Sequence, residues 1–421
     1  MKFIHAADIH LDSPLRGLER YDGAPREDLR GATRRAFENL VELALNEAVD
    51  FVLLAGDLYD GDWRDYNTGL FFTHQMGRLQ AAGIPVLVIA GNHDAASQIT
   101  RMLRVPDNVH VFPTRKSDTH RLAALGVAVH GQGFATRAVT EDLTAAYPKP
   151  DPDLFNIGLL HTSLNGRPGH DVYAPCSLDG LCSRGYQYWA LGHVHRHEIV
   201  AKNPWVVFPG NLQGRHAHET GPKGCLLVQV EDGQVSGIEQ RTLDVVRWSQ
   251  CPVDLGDATT LDAIYDRIEP VLRRAAWDAG DRLLAVRIQL TGGDAIHARL
   301  RAGHERITND CRVLAGSLGN AGLWVEKVLV ETQGTVSLAD RHDAFGGLLR
   351  TIEALEQDPD GLASLAQEVA TLTARLPLDL RTGEDAFDPT QAHVMTPCLE
   401  DVKALLLERL LGQETTREDR P

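Results

Sequence analysis

The first half of the chain is a series of short apolar or β-branched runs, at residues 3–6, 51–55, 86–90, 127–130, 157–161, 188–191, 206–208 and 225–230. Runs of this length and composition read as strands. Between them, residues 30–48 carry Ala36, Leu40, Leu43 and Ala44 at helical spacing, and residues 70–82 carry Phe71, Phe72, Gln75, Met76 and Leu79 likewise. Strand and helix in alternation predict an α/β layered sandwich. With 421 residues, at ~150 per domain, the chain has room for two or three domains.

A second region opens near Val245. It predicts a helix over 260–275, a strand over 283–290, a helix over 295–308 and a strand over 323–331, a small α+β unit. Gly334 and Thr335 read as a linker. Beyond them Ser337-Leu338-Ala339-Asp340 resembles a capping box with Asp at its last position, ahead of an apolar stripe at Phe345, Leu348, Leu349, Ile352 and Leu355. Thr396-Pro397 then supplies an N-cap and a first-turn proline for Leu399, Val402, Leu406 and Leu410. The expected domains are 1–244, 245–334 and a helical 335–421.

Chemistry concentrates where the strands end. The clusters are Asp8-Ile9-His10, Gly56-Asp57, Gly91-Asn92-His93-Asp94, His161 and Gly192-His193-Val194-His195. Loops at strand ends let a rigid sheet present converging side chains. Asp8 and His10 share one face of an extended chain, as do His193 and His195. Two carboxylates, an amide and several imidazoles suit Mn, Fe or Zn rather than Cu(I) or an iron–sulfur cluster. Such a set has the ligands for two cations about 3.5–4 Å apart. Taken singly, D-x-H is an ordinary loop and Gly-Asp an ordinary turn; all five clusters in this order, each after an apolar run, are not. Fourteen of the 18 histidines also lie before Glu219.

The series resembles the calcineurin-like metallophosphoesterases, with their D-x-H, G-D, G-N-H-[DE], H and G-H-x-H blocks. Within that family, Ala7-Asp8-Ile9-His10-Leu11-Asp12-Ser13-Pro14-Leu15 and Phe208-Pro209-Gly210-Asn211-Leu212-Gln213-Gly214-Arg215 resemble SbcD-type DNA repair exonucleases. Glu219-Thr220-Gly221-Pro222-Lys223-Gly224 is similar to the YhaO-like branch. The resemblance implies a four-layer α/β/β/α sandwich, a small α+β capping domain and a helical C-terminal segment. It also implies two divalent metal ions, Mn foremost with Fe or Zn as alternatives. One would be held by Asp8, His10, Asp57 and His195, the other by Asp57, Asn92, His161 and His193, with Asp57 bridging. His93 would protonate the leaving oxygen, with Asp60 its neighbour in role; many SbcD-type members have His where Asp60 stands. Asp94 is either an orienter of a ligand or of His93, or a helix N-cap.

Other residues have two readings. Arg16, Arg20, Arg26, Arg30, Arg34 and Arg35 form the best basic cluster, either phosphate contacts for a nucleic acid or a charged helix face. His216 and His218 either reach the cleft or lie in a solvated loop. His5 reads as a packed histidine, and Cys176 and Cys182 have the wrong spacing for zinc.

The net charge of −16 sits partly in residues 335–421, which carry 8 basic and 17 acidic residues, so that stretch does not suit DNA binding. The resemblance implies a DNA substrate and an SMC-like, SbcC-type ATPase partner docked through the C-terminal helices; the bland alternative is that those helices pack on their own chain. Homodimers occur among such relatives. No apolar run approaches the ~18–20 residues of a membrane span, and Met1–Asp8 meets a His and an Asp early, so a cytoplasmic protein is expected. The leading expectation is a metal-dependent DNA exonuclease. The alternatives are a small-molecule phosphatase or phosphodiesterase and a non-catalytic scaffold of the same fold.

Overall fold

The computed structural model describes residues 1–13, 24–60, 66–95, 104–166, 173–293, 296–318, 322–332, 344–373, 398–399 and 402. Among them the chain divides at Trp248 into two compact units.

In chain order the first unit contains β1 (Lys2–Ala6), α1 (Arg26–Arg30), α2 (Ala32–Asn46), β2 (Phe51–Ala55), α3 (Tyr66–Ala81), β3 (Val86–Ile89) and α4 (Asn92–Ala95). It continues with β4 (Val109–Val111), β5 (Asp118–Leu122), β6 (Val127–Gly131), β7 (Phe155–His161), α5 (Leu178–Ser183), β8 (Tyr188–Gly192), β9 (Glu198–Lys202) and β10 (Trp205–Phe208). The hairpin β11 (Gly224–Glu231) and β12 (Gln234–Thr242) completes it. Two six-stranded sheets result, ordered β12-β11-β1-β2-β3-β4 and β5-β6-β7-β8-β10-β9. β1 to β4 are mutually parallel, and so are β6, β7, β8 and β10.

The period-two alternation of strand side chains builds the layers. Phe3, Phe51, Leu53 and Leu87 of one sheet share a core with Val127, Val129, Ile157, Leu159 and Tyr188 of the other. On the opposite face of the first sheet, Ile4, Val52, Leu54 and Val86 pack against Phe37 and Leu40 of α2 and Phe72 and Met76 of α3. On the opposite face of the second, Leu160, Trp189, Leu191 and Val206 pack with Leu181 of α5. The unit is a layered α/β sandwich, as the alternation predicts, in the α/β/β/α order that the family resemblance implies. Each fully buried Leu or Phe contributes about 1.5–3 kcal/mol, so these three clusters hold the strand ends rigid.

The second unit has a three-stranded sheet, β13 (Val246–Asp254), β14 (Leu283–Thr291) and β15 (Leu323–Val330), in that order. Its core joins these strands to α6 (Leu261–Ala279) and to α8 (His304–Ser317). The single helix expected over 295–308 is two, α7 (His297–Ala302) and α8, separated at Gly303. Thr260 caps α6 by accepting the Ala263 N–H. Two further helices follow, α9 (Ala344–Glu356), which carries the predicted Phe345–Leu355 stripe, and α10 (Pro359–Thr373), which was not foreseen. The linker at Gly334 and the cap at Ser337 lie outside the described residues. So does most of the last predicted helix, of which 398, 399 and 402 are helical. No helix among the described residues is long and apolar enough to cross a membrane.

Candidate metal centre

All five clusters, with the loop after β10, meet at one end of the two sheets. The chain after β1 runs beside the chain after β2: Asp8 N donates to Gly56 O at 3.1 Å and His10 N to Asp57 O at 3.0 Å. These loops are not extended. Asp8, His10 and Asp57 have φ of 51°, 47° and 50°, and His193 has φ of 105°. Four non-glycine residues in the left-handed region mark a backbone held against its own preference by the surrounding structure. Asp8 and His10 therefore converge through twisted backbone, not by strand alternation as expected.

The candidate ligand atoms gather in three overlapping sets, two that contain Asp8 and a third of His10, Asp60 and His93. Asp8, His10 and His195 place one atom each within 4.8 Å of one another, and so do Asp8, Asp57 and His161. Asp57 is pinned by the His93 N–H, which donates to its Oδ1 at 2.9 Å. Its Oδ2 faces His161 Nε2 at 3.5 Å and His10 Nε2 at 3.9 Å, the disposition a bridging carboxylate needs. Asp8 accepts the His193 N–H at 3.1 and 3.0 Å and belongs to both of the sets just described. The His193 ring stands edge-on to His161, centroids 5.3 Å apart. Close approach here requires glycine: a Cβ on Gly91 would lie 2.2 Å from Asp57 Oδ1.

The donor set fits cations. His161 Nδ1–H donates to Ala55 O at 2.9 Å, which leaves the Nε2 lone pair facing Asn92 Oδ1 at 2.9 Å. His195 Nδ1–H donates to Glu219 Oε1 at 2.6 Å, which leaves its Nε2 facing His10 Nε2 at 3.3 Å. Acceptors thus converge on acceptors, and carboxylate- or carbonyl-bound imidazoles are oriented as metal ligands are. Burial, then the charge of Asp57, pushes the Asp8 carboxyl well above the usual range, and burial raises Asp57 as well. Burial likewise lowers His161 to about 3 and holds His10 well below the imidazole range. Buried anions and neutral imidazoles together call for positive charge between them. Asp8, His10, Asp57, Asn92, His161 and His195, with His193 beside them, are therefore suited to hold divalent cations.

His93 is not part of the ligand sets that include Asp8. Its Nδ1–H donates to Asp60 Oδ1 at 2.6 Å, and its ring stands perpendicular to His10 with centroids 4.9 Å apart. Burial opposes charge on His93, but the Asp60 hydrogen bond and the Asp57 charge outweigh it and raise its pKa. Asp60 itself is held low, against its burial, by His93 and by Ser13 Oγ, which donates at 2.7 Å. Asp94 faces the backbone: its carboxylate accepts from Leu58 N, Tyr59 N and Gly91 N at 3.2, 2.9 and 2.9 Å. It buckles the second loop to the third, as an orienter of the loop that carries His93.

Of the basic cluster, Arg26 and Arg30 are exposed, whereas Arg34 and Arg35 are held by nearby carboxylates. Arg34 Nε donates to Asp12 Oδ1 at 2.7 Å and Arg35 Nη1 to Asp28 Oδ1 at 3.2 Å; Arg16 and Arg20 lie outside the described residues. His216 reaches the edge of the site, its Nε2 3.5 Å from Glu219 Oε1, and exposed His218 donates its N–H to His216 Nδ1 at 3.3 Å. His5 is a packed histidine, bound to Tyr188 Oη and Leu191 O at 3.0 Å each. Among the described residues, Cys176, Cys182, Cys225, Cys251 and Cys311 are in no disulfide.

Three residues were not assigned roles from sequence. Glu219 orients His195, accepts Asn211 Nδ2 at 2.9 Å, and stays ionised against its burial because of His195 and Arg215. Lys223 Nζ donates to His195 O at 2.8 Å. Arg215 lies between Glu219 and Asp60. All three lie within the stretches 208–215 and 219–224 that carried the family resemblance, which was the available signal.

A paired-ligand pocket at the strand ends of an α/β/β/α sandwich, with a carboxylate-bound imidazole beside it, is the architecture of a metallophosphoesterase. The sequence profile of the calcineurin-like phosphoesterases matches residues 1–197, and that of the metallophosphoesterase YhaO middle domain matches 248–333. The chain belongs to the calcineurin-like metallophosphoesterase family. The metallophosphoesterase YhaO of Bacillus subtilis (strain 168) is 34% identical over 363 residues, spanning 84% of this chain and 87% of that one. The DNA double-strand break repair protein Mre11 of Methanopyrus kandleri is 26% identical over 306 residues, 65% of this chain and 62% of that one. Its counterpart from Aeropyrum pernix is 28% identical over 292 residues, 65% and 68% respectively.

Proposed function

We propose that this hydrolase is a metal-dependent DNA exonuclease acting in repair with an SMC-like ATPase, its metal Mn. The observation that carries the reading is the His93–Asp60 pair set 2.6 Å apart beside the ligand cluster. It supplies a leaving-group acid where a phosphodiester would be cut, and relatives named for DNA double-strand break repair favour DNA as the ester.

When bound, two divalent cations supply charge that neutralises phosphoryl oxygens and lowers the pKa of a water. The chain's own residues do the rest. Asp57 and Asp8 hold their carboxylates inward through the His93 and His193 N–H groups. Glu219 and the Ala55 carbonyl fix the tautomers of His195 and His161. His93, whose pKa the Asp60 hydrogen bond and the Asp57 charge raise, donates its proton to the departing oxygen, while Asp60 stabilises the imidazolium.

Asp60 also favours a second reading, a small-molecule phosphatase or phosphodiesterase, because many SbcD-type nucleases carry His there. The two separate in one assay. Purified protein with Mn is given linear duplex DNA, a chromogenic monoester and a chromogenic diester, with His93→Ala as control. The nuclease cuts DNA progressively and the variant loses at least ~100-fold in rate. Hydrolysis confined to the small esters would overturn the nuclease reading.

A further inference from the structure

We infer that Arg215 is a positioning residue that ties the metal-holding half of the site to the proton-donating half. The inference rests on the hydrolytic reading of the site.

Its guanidinium reaches both halves. Nη2 lies 3.3 Å from Glu219 Oε1, the same oxygen that accepts the His195 Nδ1–H at 2.6 Å. Nη1 lies 3.8 Å from Asp60 Oδ2 and donates to Ser13 Oγ at 3.4 Å, and Ser13 in turn donates to that Asp60 oxygen. The other Asp60 oxygen holds His93. One planar cation thus touches the two carboxylates that orient His195, a ligand, and His93, the acid. Its own backbone is fixed by the same partner, since Arg215 N donates to Glu219 Oε2 at 2.7 Å. The side chain is 16% exposed, so little of its fork is left to bind substrate. A guanidinium can span two carboxylates with separate nitrogens; a lysine ammonium is a point charge on a flexible stem and cannot.

The alternative roles predict different outcomes. A mere charge beside the cations would repel them, so its removal would tighten metal binding and Arg215→Lys would match the wild type. A substrate anchor would change KM. Bridging predicts something else: Arg215→Ala and Arg215→Lys both bind Mn about 10-fold more weakly or worse, through a loosened His195. Both also lose about 10–100-fold in kcat on a chromogenic phosphodiester with KM nearly unchanged, through a misplaced His93. Because the effects run through the carboxylates, Arg215→Ala adds little to the metal defect of Glu219→Gln and little to the kcat defect of Asp60→Asn.

The test is calorimetric Mn titration of the metal-stripped full chain, with steady-state kinetics on the same variants. Arg215→Lys keeps the charge and stem and serves where Arg215→Ala fails to fold. Full rescue by lysine, tighter metal binding, a change confined to KM, or full additivity on both backgrounds would each overturn the inference. The titration needs no substrate: a wild type that binds Mn but hydrolyses nothing would fail the hydrolytic reading, whereas unaltered Mn binding in both variants would fail this one.

Discussion

His93 and Asp60 share a short hydrogen bond, and each shifts the other's proton affinity toward the ion pair. An acid must be protonated to act, so kcat should fall as pH rises through the elevated pKa of His93. Asp60→Asn removes the charge that raises it. The falling limb of the pH–rate profile should then move to lower pH, with kcat down about 10-fold or more at neutral pH. A limb that stays in place would remove Asp60 from this role. His5 gives a prediction of opposite sign about stability. Burial lowers its pKa from 6.5 to about 3, so it is neutral in the fold and takes up a proton on unfolding. Its contribution is fully present above the unfolded value and is lost as pH falls from ~6.5 toward ~3, by at most about 1.4 kcal/mol per unit. His5→Gln should cost about 1–3 kcal/mol at pH 7 through its buried partners. In urea unfolding of metal-free protein, the gap between variant and wild type should narrow with acid; a constant gap contradicts the neutral assignment.

At the scale of elements, the site exists because strand ends from two sheets approach within van der Waals contact. Gly192 closes β8 against β2: a Cβ there would stand 1.9 Å from Ala55 O, the carbonyl that fixes His161. Gly192→Ala should therefore cost about 2–3 kcal/mol and weaken metal uptake together. Gly77, inside α3 with nothing within 4 Å of a built Cβ, is the control; Gly77→Ala should stabilise by about 0.5–1 kcal/mol. Thermal unfolding and metal titration of the two variants test both statements, and a Gly192→Ala protein with wild-type metal affinity would refute the first. The sequence made the central strands legible because they are apolar on both faces. Five strands it did not reveal, β4, β5, β9, β12 and β13, each lie at the edge of a sheet. Edge strands are short or polar, as in Asp118-Thr-His-Arg-Leu122 and Gln234-Val-Ser-Gly-Ile-Glu-Gln-Arg-Thr242, so their periodicity is faint. The ligands were readable from local motifs. Their supports were harder to read: Asp12, which accepts from both Arg34 of α2 and Thr68 of α3, joins elements far apart in sequence and follows no local pattern.

At the scale of the whole molecule, the two units keep separate cores, and this decides what the C-terminal region can lose. Among the described residues, the core of the second unit is made by β13, α6, β14, α8 and β15 and their connections, ending at Val330, and includes none from α9 or α10. The three clusters that hold the metal centre all lie in the first unit. Residues 335–421 carry a net charge of −9, from 8 basic and 17 acidic residues, which opposes contact with a polyanion. The apolar stripes read in this part of the sequence accord with the proposal that it docks on another helix, the helix-in-groove mode. Truncation after Gly334 should thus leave Mn binding and phosphodiester hydrolysis near wild type. If the proposed SMC-like ATPase is the partner, the truncation should abolish association with it, measured by co-elution in size-exclusion chromatography. A truncated chain that still co-elutes with the ATPase would place the docking surface elsewhere. One that loses hydrolysis along with the partner would show that these helices also support the catalytic unit.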